Sequence, residues 1–234
     1  MPYRRTENVV RRLAAREQTI LDAATALAAE AGMNAVQIAA VAERAGIAAG
    51  TVYRYFPSKT DLVAALIAHL ADDELAAMRA AGDAAPGPLS ALAASIATFA
   101  ARALQARRLL WAATAEPVEP ELDPLRRAFR QSLAAELAAR IKAASAARHL
   151  PEIDADAAAP AVVGALLEGL IGPLAPPPQG EAGAREAVQT AALLALRALG
   201  VNDARARGLV AQVVLPRSPL AAAQAGTQGH DHAA

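Results

Sequence analysis

One stretch of this chain, residues 45–62, concentrates side chains that could do chemistry. It reads AGIAAGTVYRYFPSKTDL and includes Tyr53, Tyr55 and Lys59. Phenolic hydroxyls and an ammonium group all bind phosphate oxygens, and the hydroxyl of Thr51 can do the same or leave its methyl group to contact a thymine. These residue types, this close together, favour a site that binds an anion.

The position of Lys59 supports this interpretation. Ser58 and Asp61 have the spacing of a helix-capping pair, so Lys59 falls in the first turn of a helix, against the positive end of the helix dipole. A bound phosphate would make this position favourable, because the helix amides and the ammonium group would face the same anion. The alternative is a lysine that is only solvated.

Two short helices joined by a glycine turn must position these side chains. Apolar residues at helical spacing predict a first helix over 19–31, a second over 37–45 and a third over 48–55, with Gly46 in the turn. The third helix is too short to be stable alone, so its neighbours must hold it. This arrangement is a helix-turn-helix, which occurs in DNA-binding proteins and also in structural bundles.

The rest of the chain predicts longer helices between proline- and glycine-rich breaks. These helices are predicted over 58–80, 89–115, 124–148, 155–172, 184–199 and 203–215. Residues 216–234 are predicted to be a disordered tail. No β pattern is found, so we expect an all-α protein with an N-terminal three-helix helix-turn-helix domain and a larger C-terminal helical bundle.

Composition limits the classes of function. Lysine plus arginine and aspartate plus glutamate number 23 each, and there is no cysteine. Any basic surface must therefore be local, and disulfides, thiol nucleophiles and thiolate metal sites are excluded. The N-terminus lacks the apolar segment of a signal peptide, and no apolar stretch is suited to span a membrane. We expect a cytoplasmic protein without membrane contact.

The run over 20–67 resembles the DNA-binding domain of the TetR family of transcriptional regulators. The matching features are ILDAA, the glycine at 32, VAERAG, GTVYRYFPSK and the apolar start of the fourth helix. The resemblance implies a homodimeric repressor that binds a palindromic operator in double-stranded DNA and is released by a small, mostly apolar effector, with no cofactor and no enzyme activity. The DNA-contacting positions carried over are Gln37, Ala49, Gly50, Thr51, Tyr53, Arg54, Tyr55 and Lys59.

The resemblance also implies domain limits. A basic arm over 1–13 precedes a DNA-binding domain over 14–74, whose helix-turn-helix motif is 37–56, and a ligand-binding and dimerisation domain follows over 75–215. The first 17 residues carry five arginines and two glutamates, a net charge of +3 (five minus two). The resemblance to family members with basic N-terminal arms implies that this arm binds phosphates or the minor groove. A frayed, solvated terminus is the alternative.

Three positions depart from the family pattern. Gln37 and Ala48 begin the second and third helices where Ser or Thr is usual, and Ala39 stands where a basic or polar residue is common. Glutamine is a weaker cap than serine or threonine. Few side chains are left to read bases, so phosphate contacts and DNA shape are expected to carry more of the recognition.

The family dimerises through its last two long helices, predicted here over 155–172 and 184–199. Their apolar residues are Val162, Val163, Leu166, Leu167, Leu170 and Ile171, then Leu193, Leu194, Leu196 and Leu199. A helix that is apolar on nearly all sides must be buried beyond its own domain, so we expect these residues in a dimer interface. A core helix of a monomer is the alternative.

Aromatic and basic residues around the single tryptophan are the candidates for an effector pocket. They are Phe99, Arg108, Trp111, Arg127 and Phe129. Aromatic faces suit an apolar ligand and arginines suit an anionic head group. The alternative is a core tryptophan with solvated arginines. His230 and His232 lack a third ligand, so no metal site is predicted.

Two other functions remain open. The first is a DNA-binding regulator or activator that needs no effector, and the second is a helical bundle that binds or converts a small molecule without binding DNA. The sequence contains no GxSxG, HExxH, GxGxxG or P-loop motif, so catalysis has no motif in its favour.

Overall fold

The computed structural model describes residues 3–116 and 120–213, with side chains from residue 8 onward. Within these ranges the chain forms ten α-helices and two short 3-10 helices and contains no β-strand, which confirms the all-α prediction. The helices are α1 Tyr3–Ala31, α2 Ile38–Arg44, α3 Ala49–Tyr55, α4 Lys59–Asp83, α5 Pro88–Gln105, α6 Arg107–Thr114, α7 Asp123–Ala146, α8 Ala155–Leu170, α9 Gly180–Ala198 and α10 Asp203–Gln212. The predicted tail over 216–234 lies outside the described residues.

The predicted helix over 89–115 is wrong, because the chain leaves the helix at Ala106 (φ −111°, ψ 36°) and forms α5 and α6 instead. The next side chain, Arg107, donates hydrogen bonds to the carbonyl oxygens of Gly172 (3.1 Å) and Ala175 (2.6 Å). These carbonyls follow α8, so residues distant in sequence hold the break. No glycine or proline marks it in the sequence.

The described residues form two compact units. The first contains those of Met1–Asp72 and Arg108–Phe129, and the second contains those of Asp73–Arg107 and Arg130–Ala234. The first unit therefore takes in a segment well beyond the predicted DNA-binding domain, whose limits stay a prediction.

Apolar side chains from four helices form the core of the first unit. They are Ile20, Ala24 and Ala28 of α1, Val41 and Ala42 of α2, Val52 of α3 and Leu62, Val63, Leu66 and Ile67 of α4. Only Val52 represents α3 in this set, so the neighbours of α3 hold it in place, as expected for a helix of seven residues.

The second unit is built on α5, which packs against α8, α9 and α10. Here the structure corrects the predicted role of the α8 residues. Val162, Val163, Leu166, Leu167, Leu170 and Ile171 are all at most 5% exposed within the chain's own fold. Leu196 of α9 and Leu199, the residue just after α9, are buried as well. These residues form the core of their own unit, so they are not left over for a dimer interface.

An apolar groove remains on the outer side of α8 and α9. It encloses about 340 Å³ and is lined mostly by small or apolar residues, among them Ala165, Gly169, Ala187, Ala191 and Leu194. Leu194 is 58% exposed, so it extends this apolar surface into solvent. We call this surface the α8–α9 groove.

Candidate nucleic-acid interface

The turn between α2 and α3 is closed by a glycine in the left-handed conformation. Gly46 adopts φ 63°, in the left-handed region that favours glycine. Its amide donates to the carbonyl of Glu43 (3.1 Å), and the amide of Ile47 donates to the carbonyl of Ala42 (3.0 Å). This pair of bonds is a Schellman motif, so it both ends α2 and aims the chain into α3.

The outward face of α3 holds four of the predicted contact residues. Tyr53 is 52% exposed, Arg54 is exposed, and Thr51 and Tyr55 are half-buried. Their common placement follows from Val52, which turns inward and fixes the rotation of the helix. The structure thus leaves all four side chains at least partly accessible, while their role as contacts stays a prediction.

The first turn of α3 carries only very small side chains. Ala48 caps the helix without any side-chain hydrogen bond, and Ala49 and Gly50 are exposed. A Cβ atom added to Gly50 would meet nothing within 4 Å. Glycine inside a helix costs about 0.5–1 kcal/mol relative to alanine. Because the packing of the chain does not require glycine here, the open surface suits a partner that approaches the backbone closely.

The start of α2 is capped differently from the usual pattern. Gln37 precedes α2 and makes no side-chain bond to its amides. Its side-chain amide instead donates to the carbonyl of Asn34 (2.9 Å), in the turn before the helix. Gln37 is exposed, so its side chain remains accessible to a partner at the start of α2. The weak cap expected from the sequence is confirmed.

The cap of α4 matches its prediction. The Ser58 hydroxyl accepts a hydrogen bond from the amide of Asp61 (3.1 Å) and donates one to the Asp61 carboxylate (2.7 Å). Lys59 is therefore the first residue of α4. This residue therefore stands at the positive end of the helix dipole, close to α3 in the chain.

Residues from the segment 108–129 brace the helix-turn-helix at the end of α1. The Arg108 guanidinium donates to the carbonyl of Glu30 (2.9 Å), and the Glu116 carboxylate accepts a hydrogen bond from the amide of Met33 (3.1 Å). Between them lies Gly32 at φ 81°, where an added Cβ would stand 3.1 Å from Glu116 Oε1. Neither hydrogen bond was predicted from the sequence, because the Glu30 carbonyl and the Met33 amide are backbone groups and carry no signal of residue type.

An exposed ion pair joins α1 to α2 at the same place. The Arg44 guanidinium binds the Glu30 carboxylate through two contacts of 2.5 and 2.7 Å. This hydrogen-bonded pairing holds the pKa of Glu30 below its ordinary value. Exposed pairs contribute little to stability, so the pair chiefly fixes the orientation of α2.

Replacing Glu116 with alanine is expected to loosen the turn after α1. The Met33 amide loses its charged acceptor, at a cost of about 1 kcal/mol, so its hydrogen exchange should quicken about fivefold. Exchange measured by NMR checks this. Glu121→Ala is the matched control, since Glu121 is exposed in the same segment. Equal exchange rates in both variants would contradict the bracing role.

The predicted effector residues are distributed over both units. Phe99 belongs to the second unit, while Arg108, Trp111, Arg127 and Phe129 belong to the first. Phe99 and Phe129 are buried in the core, Trp111 is half-buried and Arg127 is exposed. Arg108 donates to the Glu30 carbonyl, as described above. The predicted pocket stays a prediction.

Residues 3–116 and 120–213 contain no group of three or more histidine, cysteine, aspartate or glutamate side chains that could hold a metal ion. Within the same ranges, no single helix has both the length and the apolar character needed to cross a membrane.

Comparisons with known proteins all point to one family of regulators. The family model described as "Bacterial regulatory proteins, tetR family" matches residues 20–66. The transcriptional repressor KstR of Rhodococcus jostii (strain RHA1) is 57% identical over 53 residues, 23% of this chain and 25% of that protein. The chain thus spans about a quarter of the length of the KstR relatives it matches.

Two longer matches extend beyond the helix-turn-helix. FadR of Bacillus subtilis, solved in complex with stearoyl-CoA, superposes with a TM-score of 0.64 at 19% identity, over 78% of this chain and 97% of that chain. This likeness shows the fold. The transcriptional regulator BetI of Serratia proteamaculans (strain 568) is 30% identical over 165 residues, 66% of this chain and 78% of that protein. The chain therefore belongs to the TetR family of bacterial regulatory proteins.

Proposed function

We propose that this protein is a transcriptional repressor that binds operator DNA as a homodimer and releases it when a small, mostly apolar effector binds. The observation that carries the proposal is the outward face of α3. There, Thr51, Tyr53 and Arg54 surround a bare first turn whose Gly50 has no packing role. A helix of this kind reads the major groove, while hydroxyl and basic side chains bind the flanking phosphates.

The relatives support the repressor assignment. KstR, which matches this chain over the helix-turn-helix, is a transcriptional repressor, and BetI, which matches most of the chain, is a transcriptional regulator. A regulator of bacterial operators acts in the cytoplasm, and the proposal includes no cofactor, metal or enzyme activity. The two alternative functions predict behaviour that differs from this proposal. A regulator without an effector would bind DNA but would not be released by a ligand, and a helical bundle that binds a small molecule would not bind DNA.

Gly50→Ala tests the DNA-binding face with opposite effects on two measurements. The added methyl group meets nothing in the protein and favours the helix, so stability should rise by about 0.5–1 kcal/mol. The same methyl group would hold the α3 backbone away from DNA, so affinity should fall about tenfold or more. Thermal unfolding and fluorescence anisotropy on a duplex selected from random DNA check the two effects.

Gly87→Ala is the control for Gly50→Ala. A Cβ on Gly87 also meets nothing within 4 Å, but Gly87 caps α5 in the second unit. This variant should leave DNA affinity unchanged. Unchanged affinity in the Gly50 variant would contradict the α3 interface, and a wild type that selects no duplex at low salt would remove the DNA-binding function itself.

We propose that the dimer forms through the α8–α9 groove. The groove is apolar, contains glycine and alanine positions that allow close helix contact, and has the exposed Leu194 at its side. A two-fold interface would place the same groove of both copies face to face. Two helix-turn-helix units are needed because operator half-sites lie about 34–36 Å apart.

We propose that the effector is apolar and binds near Trp111. FadR, which shares the fold, binds stearoyl-CoA, a ligand with a long acyl chain. Trp111 is half-buried and lies in α6, five residues before Glu116, whose carboxylate holds the turn after α1. A ligand that displaces α6 would therefore act on the position of the helix-turn-helix.

A fluorescence titration tests the effector site, because the chain has a single tryptophan. An acyl-CoA or aromatic ligand that releases the DNA should also change the emission of Trp111. The expected coupling between ligand and DNA is about 1–3 kcal/mol, or a 5- to 150-fold loss of DNA affinity. A ligand that releases DNA without changing this emission would show that the pocket lies elsewhere.

A further inference from the structure

A buried threonine of α5 carries a hydroxyl group that the described part of the chain does not use. Thr98 is 5% exposed. The two other buried hydroxyl groups in the described residues have backbone partners, since Ser95 donates to the Met78 carbonyl (3.0 Å) and Thr114 donates to the Leu110 carbonyl (2.6 Å). No residue within 3–116 and 120–213 forms a hydrogen bond with the Thr98 hydroxyl. Buried polar groups are nearly always hydrogen-bonded, so this exception indicates a partner from outside these residues.

Thr98 lines a groove formed by the end of α4, by α5 and by α10. The groove encloses about 290 Å³, and most of its lining is apolar, including Ala94 and Leu209. Its polar lining residues are Ser90 and Thr98 of α5 and Gln212 of α10. All of these residues belong to the second unit. We call this surface the α5–α10 groove.

The two hydroxyl groups of the groove stand on one face of α5. Ser90, Ala94 and Thr98 are four residues apart, so they follow one another along that face. At a rise of about 1.5 Å per residue, Ser90 and Thr98 are roughly 12 Å apart along the helix. Ser90 is half-buried, and no residue within the described ranges forms a hydrogen bond with its hydroxyl either. The groove therefore offers two hydroxyl groups that are separated by the apolar surface of Ala94.

We propose that the α5–α10 groove binds a small, uncharged molecule with an apolar middle and a hydroxyl or carbonyl group at each end. The lining contains no acidic or basic side chain, so a charged ligand would lose its hydration without gaining an opposite charge. Apolar walls favour an apolar ligand body. The hydroxyls of Ser90 and Thr98 can each donate to or accept from a polar end group. An extended eight-carbon chain with a hydroxyl at each end has a length close to the spacing of these two residues.

The inference goes beyond the proposed repressor function, because it adds a second ligand site. This site shares no residue with the effector site proposed near Trp111, which belongs to the first unit. Binding to the α5–α10 groove is measurable without DNA. A failure of this inference therefore leaves the proposed function intact.

The continuation of the chain itself is the alternative occupant. Val213, the last described residue, also lines the groove, and Val214 and Leu215 follow it in the sequence. The side chains of Val214 and Leu215 are apolar and carry no oxygen atom that could bind Ser90 or Thr98. The two hydroxyl groups therefore favour an external ligand over this segment.

Isothermal titration calorimetry of the full chain tests the proposal, with the linear octanediol that carries a hydroxyl on each terminal carbon as the probe. The wild type should bind this diol. Octanol, which lacks one hydroxyl, should bind about fivefold more weakly, and octanoate, which is charged at neutral pH, should bind more weakly still. Thr98→Val removes the buried hydroxyl and should reduce the affinity for the diol about fivefold. Because no described residue loses a hydrogen bond, its unfolding temperature should not fall.

Two matched controls separate the groove from the rest of α5 and α4. Ser95→Ala removes a buried hydroxyl that bonds the Met78 carbonyl and does not line the groove, so it should lower stability and leave diol affinity unchanged. Ala94→Leu adds a large side chain to the lining and should abolish diol binding. Ala76→Leu makes the same change at an exposed position of α4 outside the groove and should bind the diol as the wild type does.

Three results would overturn the inference. The first is wild-type diol affinity in both Thr98→Val and Ala94→Leu, which would place the bound diol elsewhere. The second is octanoate binding as tight as diol binding, which would contradict an uncharged ligand. The third is a wild type without saturable diol binding. If Leu215→Asp then lowers the unfolding temperature and allows the diol to bind, the groove belongs to the chain's own C-terminal segment.

Discussion

Replacing Leu194 with arginine is expected to leave the chain folded and to separate the dimer into monomers. Leu194 is 58% exposed, so in the free chain an arginine there remains solvated. In a dimer formed through the α8–α9 groove, two-fold symmetry would bury two such charges without partners. Each unpaired buried charge costs about 3–5 kcal/mol, enough to dissociate an interface of ordinary affinity. Analytical ultracentrifugation at micromolar concentration measures the outcome.

Leu167→Arg is the matched control, because it places the same charge on α8 in the core. Leu167 is 5% exposed within its own unit, so this variant should unfold rather than dissociate. Circular dichroism distinguishes the two effects. The Leu194 variant should also lose operator affinity, since a monomer reaches only one half-site. A Leu194→Arg protein that stays dimeric would place the interface elsewhere.

Lys59→Ala is expected to weaken DNA binding on all sequences and to make it less sensitive to salt. Lys59 begins α4 at the positive end of the helix dipole, where a phosphate bound by the helix amides would also attract its charge. Because Lys59 is not part of the core, the variant should fold normally. The slope of log K against log salt should become shallower by about 0.9 per phosphate contact, nearly two units for a dimer.

Two further variants give this measurement its controls. Tyr53→Phe removes a hydroxyl without removing charge, so binding should weaken while the slope stays constant. Thr51→Ala should reduce affinity for the operator more than for random DNA, because Thr51 is the candidate for contact with a base. A wild-type slope in Lys59→Ala, or a loss of specificity in place of general affinity, would refute the phosphate contact.

Local signals in the sequence were enough to predict where α2 ends and where α4 begins. The left-handed turn at position 46 favours glycine, and Ser58 is followed three residues later by an acidic residue that completes the helix cap. The end of α2 and the start of α4 were therefore predicted to within a residue. These signals act over three or four residues. The break at Ala106 depends instead on Arg107 and carbonyl groups more than sixty residues away.

Burial patterns were less informative about what covers a residue. The apolar face of α8 correctly indicated deep burial, but periodicity does not say whether the covering helix belongs to the same chain. Leu167 of α8 lies in the core of its own unit, whereas Leu194 of α9 is exposed, although the apolar pattern of α9 is weaker than that of α8. Arg108 and Glu116 could not have been assigned, because a bond to a backbone carbonyl or amide leaves no complementary residue type in the sequence.

The backbone of Gly32 also predicts how position 32 varies during evolution. Gly32 is constrained twice, by its φ of 81° and ψ of 177°, a combination that only glycine adopts readily, and by the Glu116 carboxylate oxygen 3.1 Å from an added Cβ. Shortening residue 116 would relieve the second constraint only. Homologous sequences should therefore contain glycine at position 32 whether residue 116 is large or small.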